Sequence, residues 1–197
     1  MRYVCIDIET GGLSRYCSIL EFGAVIDDLS KPFDGNAPKF HTYVVPDEGN
    51  TGQISGEPYA LALHTKILSR IANREKGWDY TKWCHLPRAF KDWLMVNGFK
   101  EDPDTEEVKI TVGGKNFAMF DRDFLESLFA GNVKFGHRVL DPVMLHLRPD
   151  DEKMPDTKKC MERAGLGGEV AHTAIEDAVV GCKLIRRGLG WHLEDLR

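Results

Sequence analysis

The chain has 197 residues, 42% of them hydrophobic and 29% charged, with a net charge of −5. That length and balance suit one folded domain, residues 1–197, with a sizeable core, and the negative charge argues against a protein that coats nucleic acid with a broad basic surface. No apolar stretch approaches the length of a membrane span and no basic-then-apolar leader opens the chain, so a cytoplasmic location without membrane contact is the expectation.

Residues 3–8, all apolar but Asp7, have the length and composition of a buried strand, and residues 10–13 (TGGL) make a tight turn after it. Residues 18–27 (SILEFGAVID) and 39–45 (KFHTYVV) read as a second and third strand, with loop chemistry between them and a polar, glycine-rich loop over 47–57. The period then changes, and residues 58–73 suit a single helix. Residues 75–85 hold two tryptophans and resist placement, while 86–96 reads as a helix with Pro87 in its first turn and Gly98 past its end. A strand is expected over 108–112, a helix over 117–129, a strand over 133–140 and a helix beginning near 144. Asp156 or Thr157 caps a helix that ends at Gly165, and the last helix covers 173–187. Five strands interleaved with helices make an α/β domain with a mixed sheet.

The five cysteines (Cys5, Cys17, Cys84, Cys160 and Cys182) are odd in number and form no C-x-x-C pair, so reduced thiols are expected rather than a zinc site or a disulfide framework. Asp7 and Glu9, two apart on a strand, point to the same side. Two like charges at the end of a buried strand repel and lose hydration, so a cation between them is called for, and a hard divalent ion prefers carboxylate oxygens. The pattern itself is cheap: Asp104/Glu106 and Asp150/Glu152 repeat it, but in polar, proline-containing segments that read as solvated loops.

Two later segments carry similar oddities. Phe117, Asp121, Phe124 and Leu128 share a helix face, so Asp121 interrupts an apolar stripe. It either points at a cation or pairs with Arg122 or Arg138 or with the helix N-terminus. In the last helix Asp177 lies beside the close-packing face of Ala174, Ala178, Gly181 and Ile185, with His172 five residues upstream. At about 100° per residue the two diverge by roughly 140° if both are helical. They converge only if His172 lies in the lead-in, which the glycines at 165, 167 and 168 permit. The basic pairs Lys158-Lys159 and Arg186-Arg187 read as solvated faces.

Together these segments resemble the DEDDh (DnaQ-like) 3′–5′ exonuclease family, which includes polymerase proofreading subunits, oligoribonuclease and ribonuclease T. Its first motif, D-x-E-T followed by glycine and leucine, is similar to DIETGGL at 7–13; its second, asparagine then F-D and F-L, to NFAMFDRDFL at 116–125; its third, H-x4-D, to HTAIED at 172–177. They occur in the family's order. ILEFGAV at 19–25 looks like its second strand, and Asp141-Pro142 resembles its position before the late helices. Gly11 stands where many members have a second threonine, and Lys115 where histidine often precedes the asparagine. Residues 72–106 match nothing in the family and look like an insertion or a divergent helical region.

The resemblance implies a ribonuclease H-like mixed sheet of five strands flanked by helices. It also implies two divalent ions, Mg2+ or Mn2+, held by Asp7, Glu9, Asp121 and Asp177, with His172 as general base. Such an ion pair, about 4 Å apart, makes hydroxide available and stabilises the leaving oxygen of a phosphodiester. An imidazole with a pKa near 6.5 suits proton abstraction at neutral pH. Thr10, Gly11, Gly12, Leu13, Asn116 and Phe120 would bind the terminal nucleotide, the glycines by letting it approach the backbone. The implied partners are single-stranded DNA or RNA 3′ ends and, as in small members of the family, a second copy of the chain in a homodimer. An oligoribonuclease-like enzyme for short RNA and a non-catalytic end-binding accessory subunit are the alternatives.

Overall fold

A computed structural model describes residues 1–33, 35–47, 52–167 and 173–196. Its centre is a sheet of six strands, one more than expected: β1 (Arg2–Thr10), β2 (Ile19–Asp28), β3 (Lys39–Val45), β4 (Tyr80–Lys82), β5 (Val108–Gly113) and β6 (Val133–Leu140). The spatial order is β4-β3-β2-β1-β5-β6. The first three strands form the antiparallel meander that their short connections dictate, whereas β4, β5 and β6 add in parallel to β3, β1 and β5. The additional strand is the three-residue β4, within the tryptophan-bearing segment, and is too short to carry a period of its own.

Among the described residues seven α-helices flank the sheet: α1 (Pro58–Leu63), α2 (Thr65–Asn73), α3 (Leu86–Val96), α4 (Asp121–Phe129), α5 (Pro142–His146), α6 (Thr157–Ala164) and α7 (Ala174–Gly188). The single helix expected over 58–73 is broken at His64. The helix expected from 117 begins only at Asp121, because residues 115–120 are spent in turns that set Phe117 into the core.

Strand alternation divides the core. Val4, Ile6 and Ile8 face one side with Phe22, Phe90 of α3 and Phe129 of α4, where the Phe22 and Phe90 rings meet edge-on at 5.0 Å. Such a pair adds about 0.5–1.5 kcal/mol beyond its burial. Tyr3 and Cys5 face the other side, against Ala178, Cys182 and Ile185 of α7. The same alternation turns Asp7 and Glu9 toward α7. Residues 72–106 are tied into this body. Leu86, Phe90 and Leu94 are fully buried, and the buried Lys91 bonds Glu101 at 2.7 Å and the Glu106 carbonyl at 2.6 Å.

Arg186 departs from the solvated face expected of Arg186-Arg187. It is buried and pairs with Asp27, Nη2 to Oδ1 at 2.7 Å. The adjacent Arg187 donates to the Ala164 carbonyl at 2.7 Å. Helix periodicity points residue 186 inward with residue 182, and the buried carboxylate of Asp27 makes that position tolerable for a cation. Three thiols, Cys5, Cys160 and Cys182, are buried, and all five cysteines are unpaired. Among the described residues no helix is long and apolar enough to cross a membrane.

Candidate metal centre

The end of β1 delivers Asp7 opposite Gly23 and Glu9 opposite Glu21 across the β1–β2 ladder. α7 then lands on that point of the sheet. A Cβ on Gly23 would lie 2.5 Å from the Ala174 carbonyl oxygen, and one on Gly181 would lie 2.7 Å from Cys5 Sγ, so both glycines are what let the helix sit this low. α7 begins at Ala174 after an extended Thr173, which puts Asp177 in its first turn. Ligand oxygens of Asp7, Glu9 and Asp177 lie within 4.8 Å of one another. His172 lies outside the described residues.

Asp121 arrives from the first position of α4. It is buried, and its Oδ1 accepts from the Ile8 amide at 3.1 Å. β5 pairs with β1 only at Val4 and Cys5, so past that point the strand edge needs another acceptor, and Asp121 supplies it. Asp7, Glu9, Asp121 and Asp177 line one cleft of about 340 Å³, together with Lys115, Asn116, Phe120 and Thr157.

Burial first, then the charges of Asp121, Asp177, Glu9 and Glu21, pushes the Asp7 carboxyl well above the usual carboxylate range. Burial, with Glu21, Asp177 and Asp121, raises Glu9 to about 8. Burial raises Asp121 to about 7, against the lowering effect of its backbone hydrogen bonds and with a smaller push from Asp141. Carboxyls crowded where water is scarce thus keep their protons until a cation takes the protons' place. Among the described residues lining the cleft, Lys115 is the one cation, and its Nζ is engaged with Thr157 Oγ1 at 2.8 Å. An all-oxygen donor set of crowded carboxyls, short of cationic side chains, fits a hard divalent cation.

The turn after β1 is pinned from behind. Gly11 donates to the Ser18 carbonyl at 2.8 Å, the Glu57 amide donates to the Gly11 carbonyl at 2.7 Å, and Thr10 Oγ1 donates to the Gly12 carbonyl at 2.8 Å. A Cβ on Gly11 would lie 2.5 Å from the Ser55 carbonyl oxygen, and one on Gly12 would press on the Glu57 side chain and Cys17. The space the two glycines leave is therefore filled by residues 55–57. Leu13 points into solvent, 79% exposed. Asn116 sits at φ 56°, with its amide on Asp141 Oδ2 at 3.0 Å. Phe120 is half-buried against Phe124, ring centroids 5.2 Å apart.

Three residues that sequence reasoning passed over lie beside Glu9 or behind its neighbour across the ladder. His64 Nε2 lies 3.4 Å from Glu9 Oε2. Glu21 is fully buried, and His41 Nε2 lies 2.6 Å from its Oε1. The signal for Glu21 was present, a single acid inside the apolar run of β2. His41 and His64 carried none, because their partners are distant in sequence.

No protein-family model matches the sequence, and no curated protein matches it. The likeness is one of shape: the mixed sheet with its flanking helices matches the ribonuclease H-like fold seen in exonuclease I. Among solved structures, the chain is similar to an exonuclease I whose structure suggests how processivity is achieved, with a TM-score of 0.64 at 15% identity over 94% of this chain and 40% of that one. It is similar to exonuclease I from Methylocaldum szegediense (TM-score 0.61, 16% identity, 94% and 40%). The zinc-bound form of an E. coli exonuclease I–single-stranded DNA complex is a further match (TM-score 0.59, 16% identity, 94% and 40%). The chain spans about two fifths of the length of these proteins.

Proposed function

We propose that the chain is a metal-dependent 3′–5′ exonuclease that hydrolyses single-stranded nucleic-acid ends to nucleoside 5′-monophosphates. The observation that carries this reading is the convergence of Asp7, Glu9 and Asp177 within 4.8 Å on an exonuclease I fold. Asp7, Glu9, Asp121 and Asp177 would hold two divalent ions, Mg2+ or Mn2+. When bound, such ions supply positive charge beside an attacking water and a leaving oxygen.

The rest falls to the chain itself. The Ile8 amide fixes the direction of the Asp121 carboxylate. His172, by its place in the third motif, would take the proton of the attacking water. The water oxygen bonds to phosphorus, the bond from phosphorus to the 3′ oxygen of the penultimate nucleotide breaks, and the terminal nucleotide leaves with a 5′-phosphate. Exposed Leu13 offers an apolar surface for the last base beside the turn of Thr10, Gly11 and Gly12, and Asn116 and Phe120 border the cleft on its other side. Matched 3′-labelled DNA and RNA, short and long, with Mg2+ test the reading. Release of labelled 5′-monophosphate, abolished in Asp7→Ala without loss of fold, is the expected result; hydrolysis unchanged in that variant would overturn it.

A further inference from the structure

α1 and α2 would continue as one helix but for His64, whose φ of −97° and ψ of 25° close the first and open the second. α1 buries none of its own residues, yet His64 directly after it is only 8% exposed. The break carries the imidazole inward to Glu9, Nε2 to Oε2 at 3.4 Å. Behind Glu9, directly across the ladder, stands the fully buried carboxylate of Glu21. Like charge across the ladder disfavours a Glu9 carboxylate that leans toward Glu21, and the His64 imidazole stands within ion-pair distance of Glu9 Oε2.

A carboxylate that holds a cation through one oxygen binds best when the other is fixed, because free rotation of its terminal torsion spreads both oxygens over a wide arc. His64 does not belong to the cluster of ligand oxygens formed by Asp7, Glu9 and Asp177; it backs one of them. We propose that His64 is a positioning residue of the metal centre, orienting Glu9 so that a divalent cation is bound more tightly. This rests on the metal-dependent reading above.

The test is calorimetric titration of Mn2+ into the wild-type chain, His64→Leu, His64→Gln, Glu9→Gln and the double variant His64→Leu/Glu9→Gln, each checked by thermal melting. His64→Leu is expected to weaken Mn2+ binding about ten- to hundred-fold. His64→Gln, whose amide still reaches and donates, should stay within a few-fold of wild type. In the Glu9→Gln background the His64→Leu change should add nothing. Wild-type affinity in His64→Leu, or an equal loss in the Glu9→Gln background, overturns the proposal alone. A wild-type chain that binds no Mn2+ overturns the metal reading with it. If His64→Leu does not melt cooperatively, His64→Asn, whose amide falls short of Glu9, takes its place and should show the same loss.

Discussion

Asp7 and Gly23 face each other across the β1–β2 ladder, and Gly23 is also where the first turn of α7 rests on the sheet. One missing side chain thus sets how near Asp177 comes to Asp7. Gly23→Ala would place a methyl 2.5 Å from the Ala174 carbonyl oxygen, and backbone cannot yield there as a side-chain tip could. Overpacking of this kind costs about 1–3 kcal/mol. Urea denaturation should show that loss, and Mn2+ titration should show weaker binding as Asp177 is lifted. Unchanged affinity would show that α7 can rise without opening the cluster.

The raised carboxylates predict a pH dependence. A carboxyl whose folded-state pKa lies above its unfolded value contributes stability that is present at low pH and lost as pH rises through the folded value. For Glu9 that loss runs from its ordinary value near 4.5 up to about 8, and for Asp121 from 3.8 up to about 7. The metal-free chain should therefore melt at a falling Tm between pH 5 and about 8. Saturating Mg2+ or Mn2+ should flatten the profile, because the cation replaces the protons. A metal-free Tm that climbs across this window contradicts the charge crowding described here.

How much of this was legible in sequence follows from the range of each interaction. Asp7 and Glu9 stood out because they end an apolar strand, and Asp121 because it breaks an apolar stripe; both are local patterns. The break at His64 was not legible, since residues 58–73 keep helical spacing throughout and the carboxylate that His64 meets, Glu9, is far along the chain. β4 was invisible because three residues cannot display a period. The glycines of the first turn were noticed for their freedom, but their reason, the close passage of residues 55–57, is tertiary.

Arg186 shows the same limit, since its buried partner is 159 positions away. Its guanidinium bonds both oxygens of Asp27 and the carbonyls of Lys31 and Asp28, while the Tyr3 hydroxyl donates to Asp27 Oδ2 at 2.8 Å. Arg186→Met strands a carboxylate in the interior with Tyr3 as its remaining side-chain donor. The expected cost is about 3–5 kcal/mol in urea denaturation. Adding Asp27→Asn should recover part of it, because the uncompensated charge is then gone. Recovery of nothing would mean that the loss comes from packing against Phe33 and Trp191 rather than from the stranded charge.

Asp121 does two jobs that a pair of substitutions separates. Its Oδ1 serves the Ile8 amide where β1 has run past β5, and its charge faces the cleft. Asp121→Asn keeps an oxygen for the amide and removes the charge. It should hold or raise metal-free stability while abolishing metal-dependent hydrolysis. Asp121→Ala removes both and leaves a buried amide unsatisfied, which costs about 1–3 kcal/mol. Without metal, Asp121→Asn should therefore melt at or above the wild-type curve and Asp121→Ala below it. Equal destabilisation would mean that water reaches the Ile8 amide, and that Asp121 is held in place for the cation alone.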